Sequence, residues 1–395
     1  MRMLFLTTRF PFPPIGGERL RPFYIIKHLA LNWKITILSF IESKKEEGLL
    51  KNHPLEGLEV ATVHLPRLKS YLHCIGGLFS RQPLETAYYA DKKMRALIRK
   101  ALGSDSYDLI FCHLLRMAPY VENIKGIKKV LDICDALSLR YETSSRYRKG
   151  PFKFIEWLEA KRLTAYEARI SDKFDLNLVA SSTDKYYLEQ KLGMSRLDIL
   201  ENGGIDAEIP QRQEIKFDSR KIVFLGNLRT FHNVDAVKYF YRSILPLIKE
   251  KINDAKFVIV GAEAPRCILQ MQRDRSVSVF KDVSDIRPFI EDACVSIAPM
   301  RVSVGIQNKI LQSMAYRIPV VTTTLGLGGI RAKPGEEVLV ADSAREFAKN
   351  IVMLMQDDAL RSRLINNAYQ LIKEQYLWPD VCNRLNKKLI ALLEK

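Results

Sequence analysis

His113 ends the run Asp108-Leu109-Ile110-Phe111-Cys112, where a short apolar strand should stop. A side chain at the carboxyl end of a parallel strand faces the edge where open α/β sheets bind ligands. The other histidines, at 28, 53, 64, 73 and 232, form no metal-ligand spacing with it. An active-site imidazole and a hydrogen-bonded structural histidine both fit that position. Asp132 and Asp135 follow a second apolar run, in Val-Leu-Asp-Ile-Cys-Asp. Paired carboxylates there could orient an acceptor hydroxyl or act as general base. They could equally cap the next helix.

Two glycines, Gly16 and Gly17, follow Pro13 and Pro14 at the end of the first apolar run. Such a turn brings backbone amides and a helix N-terminus to a phosphate, or simply joins strand to helix. Neither GxGxxG nor GxxxxGK[ST] occurs, so a dehydrogenase-type dinucleotide fold and a P-loop are poorly supported. Residues 296–330 read as strand, loop, helix, strand and glycine loop. Lys309 falls in the first turn of that helix, where the helix dipole disfavours a cation. A phosphate touching both the helix end and Lys309 would remove the conflict.

The elements that must hold these residues follow from hydrophobic period. Apolar strand-like runs fall near 2–7, 34–40, 58–63, 108–112, 128–133, 175–179 and 196–200, with helical patterns between them. The pattern restarts with runs at 221–226, 256–261, 276–280, 294–298 and 319–323. Residues 152–171 read as a helix with Phe154, Leu158, Tyr166 and Ile170 near helical spacing. Strands alternating with helices imply parallel sheets covered on both faces. The expected class is therefore α/β: two Rossmann-like, doubly wound domains with a ligand cleft between their strand ends. The expected bounds are 1–205 for the first domain, 206–219 for a linker and 220–375 for the second. A last helix over 376–395 has an apolar face of Val381, Leu385, Leu389 and Leu392.

Length and composition agree with a globular chain: 395 residues, 47% hydrophobic and 27% charged. The six cysteines form no CxxC pair, which argues against structural zinc and for free thiols in a reducing compartment. No secretory leader or spanning segment is expected. The net charge of +17 allows nucleic acid, an anionic membrane or phosphorylated substrates as partners. Residues 1–200 hold 33 basic and 22 acidic side chains, so most of the excess lies in the first half. No zinc-finger, RRM or helix-turn-helix signature accompanies it, and nucleic acid is not expected. Basic stretches include Lys92, Lys93, Arg95, Arg99 and Lys100, then Arg140, Arg146, Arg148 and Lys149. With Leu97 and Ile98, the first could lie on an anionic leaflet or be a solvated helix face.

The motifs together resemble the GT-B glycosyltransferases of family 4, in particular the bacterial exopolysaccharide and PEP-CTERM-associated sugar transferases. The resemblance runs nearly end to end. It is carried by PFPPIGGERLRPF, LEAKRLTAYEARISDKFD (158–175), ENGGID (201–206), FLGNLRTFHNVDAVKYF (224–240), FVIVGAEAP (257–265), DVSDIRPFIEDACVSIAPMR (282–301) and GIQNKILQSMAYRIPVVTT. It implies a last helix that crosses back to the N-terminal domain. It also implies that Gly16 and Gly17 lie near a donor diphosphate and that His113 matches the family's active-site histidine. Gly226 would begin the diphosphate loop, Gly261 would end the strand beside the nucleotide, and Val283–Asp285 would hold the base. Gly305 and Ile306 would present amides, and Lys309 would contact phosphate.

The chain departs from the family at four positions. Asn227 and Asn233 stand where many members have Arg and Lys, so Arg229 or Lys309 would supply the charge. Val304 and Gln312 stand at the family's glutamate pair. Gln312 can still bond a ribose hydroxyl, without charge assistance.

The resemblance thus implies a retaining transfer from a UDP- or GDP-sugar to a hydroxyl of a glycan or lipid-linked glycan in surface polysaccharide biosynthesis. No DxD run is present, so no metal is expected, and no cofactor beyond the nucleotide-sugar substrate. The expected place is cytoplasmic, peripheral at the inner face of the plasma membrane. A degenerate scaffold that binds nucleotide or glycan without catalysis is the alternative. A nucleotide-sugar 2-epimerase fits the motifs and the insert at 140–171 less well.

Overall fold

The computed structural model describes residues 1–14, 17–42, 44–50, 54–55, 57–147, 150–206, 217–283, 285–302 and 305–394. Gly16, Arg148, Lys149 and Val304 lie outside the described residues, as does most of the expected linker. The chain divides into two compact units. Unit 1 is Met1–Glu201 with the segment from Pro379 onward, and unit 2 is Asn202–Trp378.

Unit 1 is built on seven parallel strands. They are β1 (Arg2–Thr7), β2 (Lys34–Ile41), β3 (Glu59–His64), β4 (Leu109–His113), β5 (Lys128–Cys134), β6 (Leu176–Val179) and β7 (Leu197–Ile199), in sheet order β3-β2-β1-β4-β5-β6-β7. The central strands are buried on both faces, which is why they read as unbroken apolar runs rather than alternating ones. The order reverses between β1 and β4, the switch point where helices cross to opposite faces and a crevice opens. His113 of β4 stands in register with Asp132 of β5.

Unit 2 repeats the plan with β8 (Asp218–Leu225), β9 (Lys256–Gly261), β10 (Val277–Lys281), β11 (Ala293–Ala298), β12 (Val320–Thr322) and β13 (Leu339–Val340). Their order is β10-β9-β8-β11-β12-β13, with the switch point between β8 and β11. The unit begins at Asn202, earlier than the expected boundary after residue 205. The reason is local: Gly204 N donates to Tyr376 O at 2.7 Å and Asn202 Nδ2 to Asn308 Oδ1 at 2.9 Å. A Cβ on Gly203 would overlap the Trp378 ring.

The helix Trp378–Leu393 belongs with unit 1 from Pro379 on. Its Val381, Leu385 and Leu389 are fully buried, Asn386 Oδ1 accepts from Trp33 Nε1 at 2.7 Å, and Lys388 pairs with Asp198.

Two sequence expectations change. The Lys92–Ser104 helix, capped by Asp91 on Lys93 N and Met94 N, turns Met94 and Ile98 into the core and packs Leu97 against it. Its aliphatic face is used up and cannot also lie on a membrane. In the Pro151–Ile170 helix, the core face is Leu163, Tyr166 and Ile170, while Phe154 is 62% exposed.

Candidate functional site

The loop after β8 is drawn tightly over β9. Gly226 N donates to Val260 O at 3.1 Å. A Cβ on Gly226 would lie 2.9 Å from Asn233 Nδ2, and one on Gly261 would overlap the Gly226 carbonyl. Only glycine fits at Gly261, while a side chain at Gly226 would press on the Asn233 amide. The loop is then braced from behind: Asn227 O accepts from Asn233 Nδ2 and from Thr230 Oγ1, each at 2.9 Å. Asn227 Oδ1 accepts from Arg229 N at 3.0 Å.

Asn233 is buried in the helix Phe231–Tyr239 and its other end meets Lys309. Lys309 Nζ donates to Asn233 Oδ1 at 2.6 Å and Gln307 Oε1 at 3.1 Å. It lies 3.6 Å from Met300 Sδ and 5.1 Å from the Phe224 ring centroid. Asn233 is thus a positioning residue between loop and lysine, not the ligand-facing group expected at a phosphate-loop position. Lys309 is only 7% exposed, and its oxygen partners among the described residues are neutral amides. Burial pushes its ammonium down to about 7. It occupies the first turn of the helix Asn308–Ala315, as the sequence predicts.

The remaining unit 2 candidates are not among the bonding partners of Lys309. Gly305 has φ +67°, the left-handed region that favours glycine, and Ile306 is buried. Gln312 is half-buried one turn beyond Lys309. Arg229 is partly exposed, its guanidinium 3.8 Å from Glu263. At the end of β10, Val283 packs against the core. Asp285 is held below the usual carboxylate range by its bonds to Arg287, so it is already committed. Arg301, which sequence reasoning passed over, follows β11 and pairs bidentately with Asp235 at 3.0 and 2.6 Å.

Unit 1 places a different cluster at its own switch point. Arg21, on the Gly17–Leu29 helix, donates from Nε and Nη2 to both Asp132 oxygens at 2.8 and 2.7 Å. Its Nη1 donates to Leu200 O at 2.8 Å. His113 Nδ1 lies 2.8 Å from Asp132 Oδ2. All three side chains are buried.

Burial alone would raise the Asp132 pKa, but the Arg21 charge and the His113 bond hold it far below the usual carboxylate range. An ionised carboxylate only accepts, so Nδ1 carries a proton toward it, and in the neutral tautomer of the imidazole the lone pair then falls on Nε2. That Nε2 is buried without a hydrogen-bond partner among the described residues. Asp132 is therefore not the accessible acceptor-side base that its spacing from Asp135 suggested: it anchors the imidazole. Asp135 is half-buried, and burial with the nearby Asp184 charge pushes it up to about 7.

Gly17 begins the helix that carries Arg21. Some of the unit's cations are spent internally, since Arg116 pairs with Glu18 and Glu85 and Arg140 joins Glu85 at 2.9 Å.

Among the described residues one group has metal-ligand donors in reach: His113, Asp132 and Cys134, their ligand atoms within 4.8 Å. Its anionic lone pairs are already taken by Arg21, and burial with the Asp132 charge raises the Cys134 thiol well above its usual value. The guanidinium stands where a cation would.

Residues 219–357 match the family model described as Glycosyl transferases group 1. The chain is 22% identical over 390 residues to an uncharacterized 44.6 kDa protein in the cps region of Klebsiella pneumoniae, covering 95% of this chain and 96% of that protein. Among solved structures it is similar to TarM of S. aureus, with a TM-score of 0.68, 11% identity and coverage of 100% of this chain and 99% of that one. It is similar also to Anabaena Alr3699/HepE in complex with UDP and glucose, with a TM-score of 0.66, 12% identity and coverage of 99% and 100%. The two parallel sheets of seven and six strands are the GT-B fold, and the match to the group 1 glycosyltransferase model falls within unit 2.

Proposed function

We propose that the chain is a retaining, metal-independent glycosyltransferase. It moves a sugar from a UDP- or GDP-sugar to a hydroxyl of a glycan or lipid-linked glycan in surface or exopolysaccharide biosynthesis. The observation that carries this reading is Lys309: a buried ammonium whose oxygen partners among the described residues are amides, at the unit 2 switch point beside the Gly226 loop. Such a group is costly without an anion and well placed for one. A diphosphate would replace neutral partners with charged oxygens and add the Asn308–Ala315 helix end and the Gly305 and Ile306 amides.

The cps-region relative and the HepE complex with UDP and glucose support the polysaccharide and donor parts. Fixed donors of this kind act most strongly on the charge that develops on the leaving diphosphate. In this reading His113 accepts a sugar hydroxyl bond at Nε2 and steadies the reacting ring. The leaving phosphate assists acceptor deprotonation from the same face. Asp135, poised near neutrality, is the acceptor-side candidate for a base.

The reading is tested by a thermal-shift screen of UDP-, GDP- and ADP-sugars, followed by titration calorimetry of the best nucleoside diphosphate. At pH 8 the empty Lys309 is largely neutral, and a bound diphosphate must recharge it. Binding should therefore take up a proton, so the heat in Tris and HEPES differs. Affinity should fall about tenfold per pH unit above about 7, until the bound lysine itself titrates. Binding with no proton uptake removes Lys309 from the donor site.

A further inference from the structure

The Arg67–Leu78 helix carries its apolar side chains on the outside. Leu68, Tyr71, Leu72, Ile75, Leu78 and the following Phe79 recur at the spacing of one continuous helical stripe. That stripe faces solvent, from Leu68 at 74% exposed to Phe79 at 90%. The inward face is Ser70 and Gly77, with His73 and Cys74 half-buried. The small residues let the helix lie close to its neighbours: a Cβ on Gly77 would sit 3.1 Å from Leu84 Cδ2 and 3.2 Å from Ala87 Cβ. The large side chains thus contribute little to the unit's own core.

A second exposed set adjoins it. Phe152, Phe154 and Trp157 stand out from the first turns of the Pro151–Ile170 helix. Phe154 and Trp157 have ring centroids 5.7 Å apart, and Lys161 Nζ lies 3.9 Å from the Trp157 centroid. The helices are tied together, since Arg162 donates to Gly77 O at 3.1 Å and Leu78 O at 2.8 Å. Single exposed hydrophobics need no explanation, but nine on two joined helices form a patch of the kind that marks a binding face.

Arg67 and Lys69 are bonded to Glu42 and Asp91, and Glu156 and Glu159 of the aromatic helix are held by Ser144 and by the Leu84 and Glu85 amides, so the excess charge at the patch is basic. No acidic residue lies between Leu65 and Leu84, which enclose Arg67, Lys69 and Arg81. Lys153 and Lys161 flank the aromatic set. Arg81 and Lys153 are exposed, with no ion pair to a described residue.

We propose that this face docks unit 1 on the surface of an anionic bilayer. The stripe would enter the acyl boundary, the Trp and Tyr rings would sit at headgroup level, and the cations would meet lipid phosphates. A second copy of the same face is disfavoured as occupant, because it would oppose cation to cation. The helix is too short and too polar at its ends to cross the membrane, and no helix among the described residues is long and apolar enough to do so. The inference rests on unit 1 alone and stands apart from the donor reading of unit 2.

The test is flotation of the full chain with vesicles of phosphatidylcholine alone and of phosphatidylcholine with phosphatidylglycerol. The expected result is flotation with the anionic vesicles and about tenfold less with the neutral ones, falling as salt rises. The Leu72→Asp/Ile75→Asp variant should lose at least about tenfold in vesicle partition while its melting temperature and nucleotide binding hold. Arg81→Glu/Lys153→Glu, which leaves the packing alone, should lose anionic selectivity. Failure of the wild type to float with anionic vesicles overturns the proposal, as does equal flotation of the variants. A dimer in sedimentation that the Asp variant dissolves, without vesicle binding, would assign the face to a second copy instead.

Discussion

Replacing Arg21 with methionine should cost unit 1 about 3–5 kcal/mol, because it leaves the Asp132 carboxylate buried beside a single imidazole. The pair is fully enclosed, with both carboxylate oxygens bonded by one guanidinium, so neither water nor salt reaches it. Its loss also frees the Leu200 carbonyl at the end of unit 1. For a unit of this size the melting transition should fall by roughly 6–20 °C.

The pH dependence reverses in a predictable way. In the wild type the folded Asp132 has a depressed pKa, so its contribution is present above the unfolded value near 4 and is lost in stronger acid. In Arg21→Met the buried, unpaired acid has a raised pKa, so stability is greatest below about 4 and falls as pH rises. The deficit between the two proteins should therefore shrink on acidification. Adding Asp132→Leu should recover part of the loss, since an apolar pair removes the stranded charge. Circular-dichroism melts of the three proteins across pH decide it. A deficit independent of pH would mean that the carboxylate is not what Arg21 supports.

Lys309→Met should separate binding from stability. Between its folded pKa of about 7 and its unfolded value near 10.4, the unfolded chain holds the extra proton. Stability therefore rises with pH across that window, and below it the buried charge is a standing cost. Methionine keeps most of the stem and removes the charge, at the expense of stranding Asn233 Oδ1, whose Nδ2 is committed to Asn227 O. The charge relief is the larger effect, so at pH 6 the variant should melt no lower than the wild type and lose the pH slope. The same change should weaken nucleoside diphosphate binding about 30- to 100-fold, the worth of a buried charge-assisted contact. Melting curves at pH 6 and 9 with calorimetric titrations check both halves. A destabilised variant with unchanged affinity would make Lys309 a structural residue.

The parallel architecture was legible because its central strands are buried on both faces and so appear as bare apolar runs. β13 escaped notice because two residues, Leu339 and Val340, carry no period. His113 and Lys309 were legible from their places after a strand and at a helix start. Their partners were not. Arg21 and Asp132 are separated by 111 residues, and an arginine among Leu20, Phe23 and Ile25 gives no hint that it points inward. Asn233 looked like a lost phosphate contact. Only the fold reveals that its amide joins a loop carbonyl to a lysine. The spacing from Leu68 to Phe79 defines a stripe, but a period cannot say whether that stripe faces the core or the solvent.

Transfer itself is the most direct test. The purified full chain, with its best nucleotide sugar and lipid-linked acceptors, should release nucleoside diphosphate and form a product with the donor's anomeric configuration retained. Turnover should survive chelation of divalent metal. It should disappear in His113→Ala, which also loses roughly 1–3 kcal/mol because Asp132 gives up a buried hydrogen bond. A chain that binds the nucleotide sugar tightly yet releases no diphosphate with any acceptor, or one whose product has inverted configuration, contradicts the account.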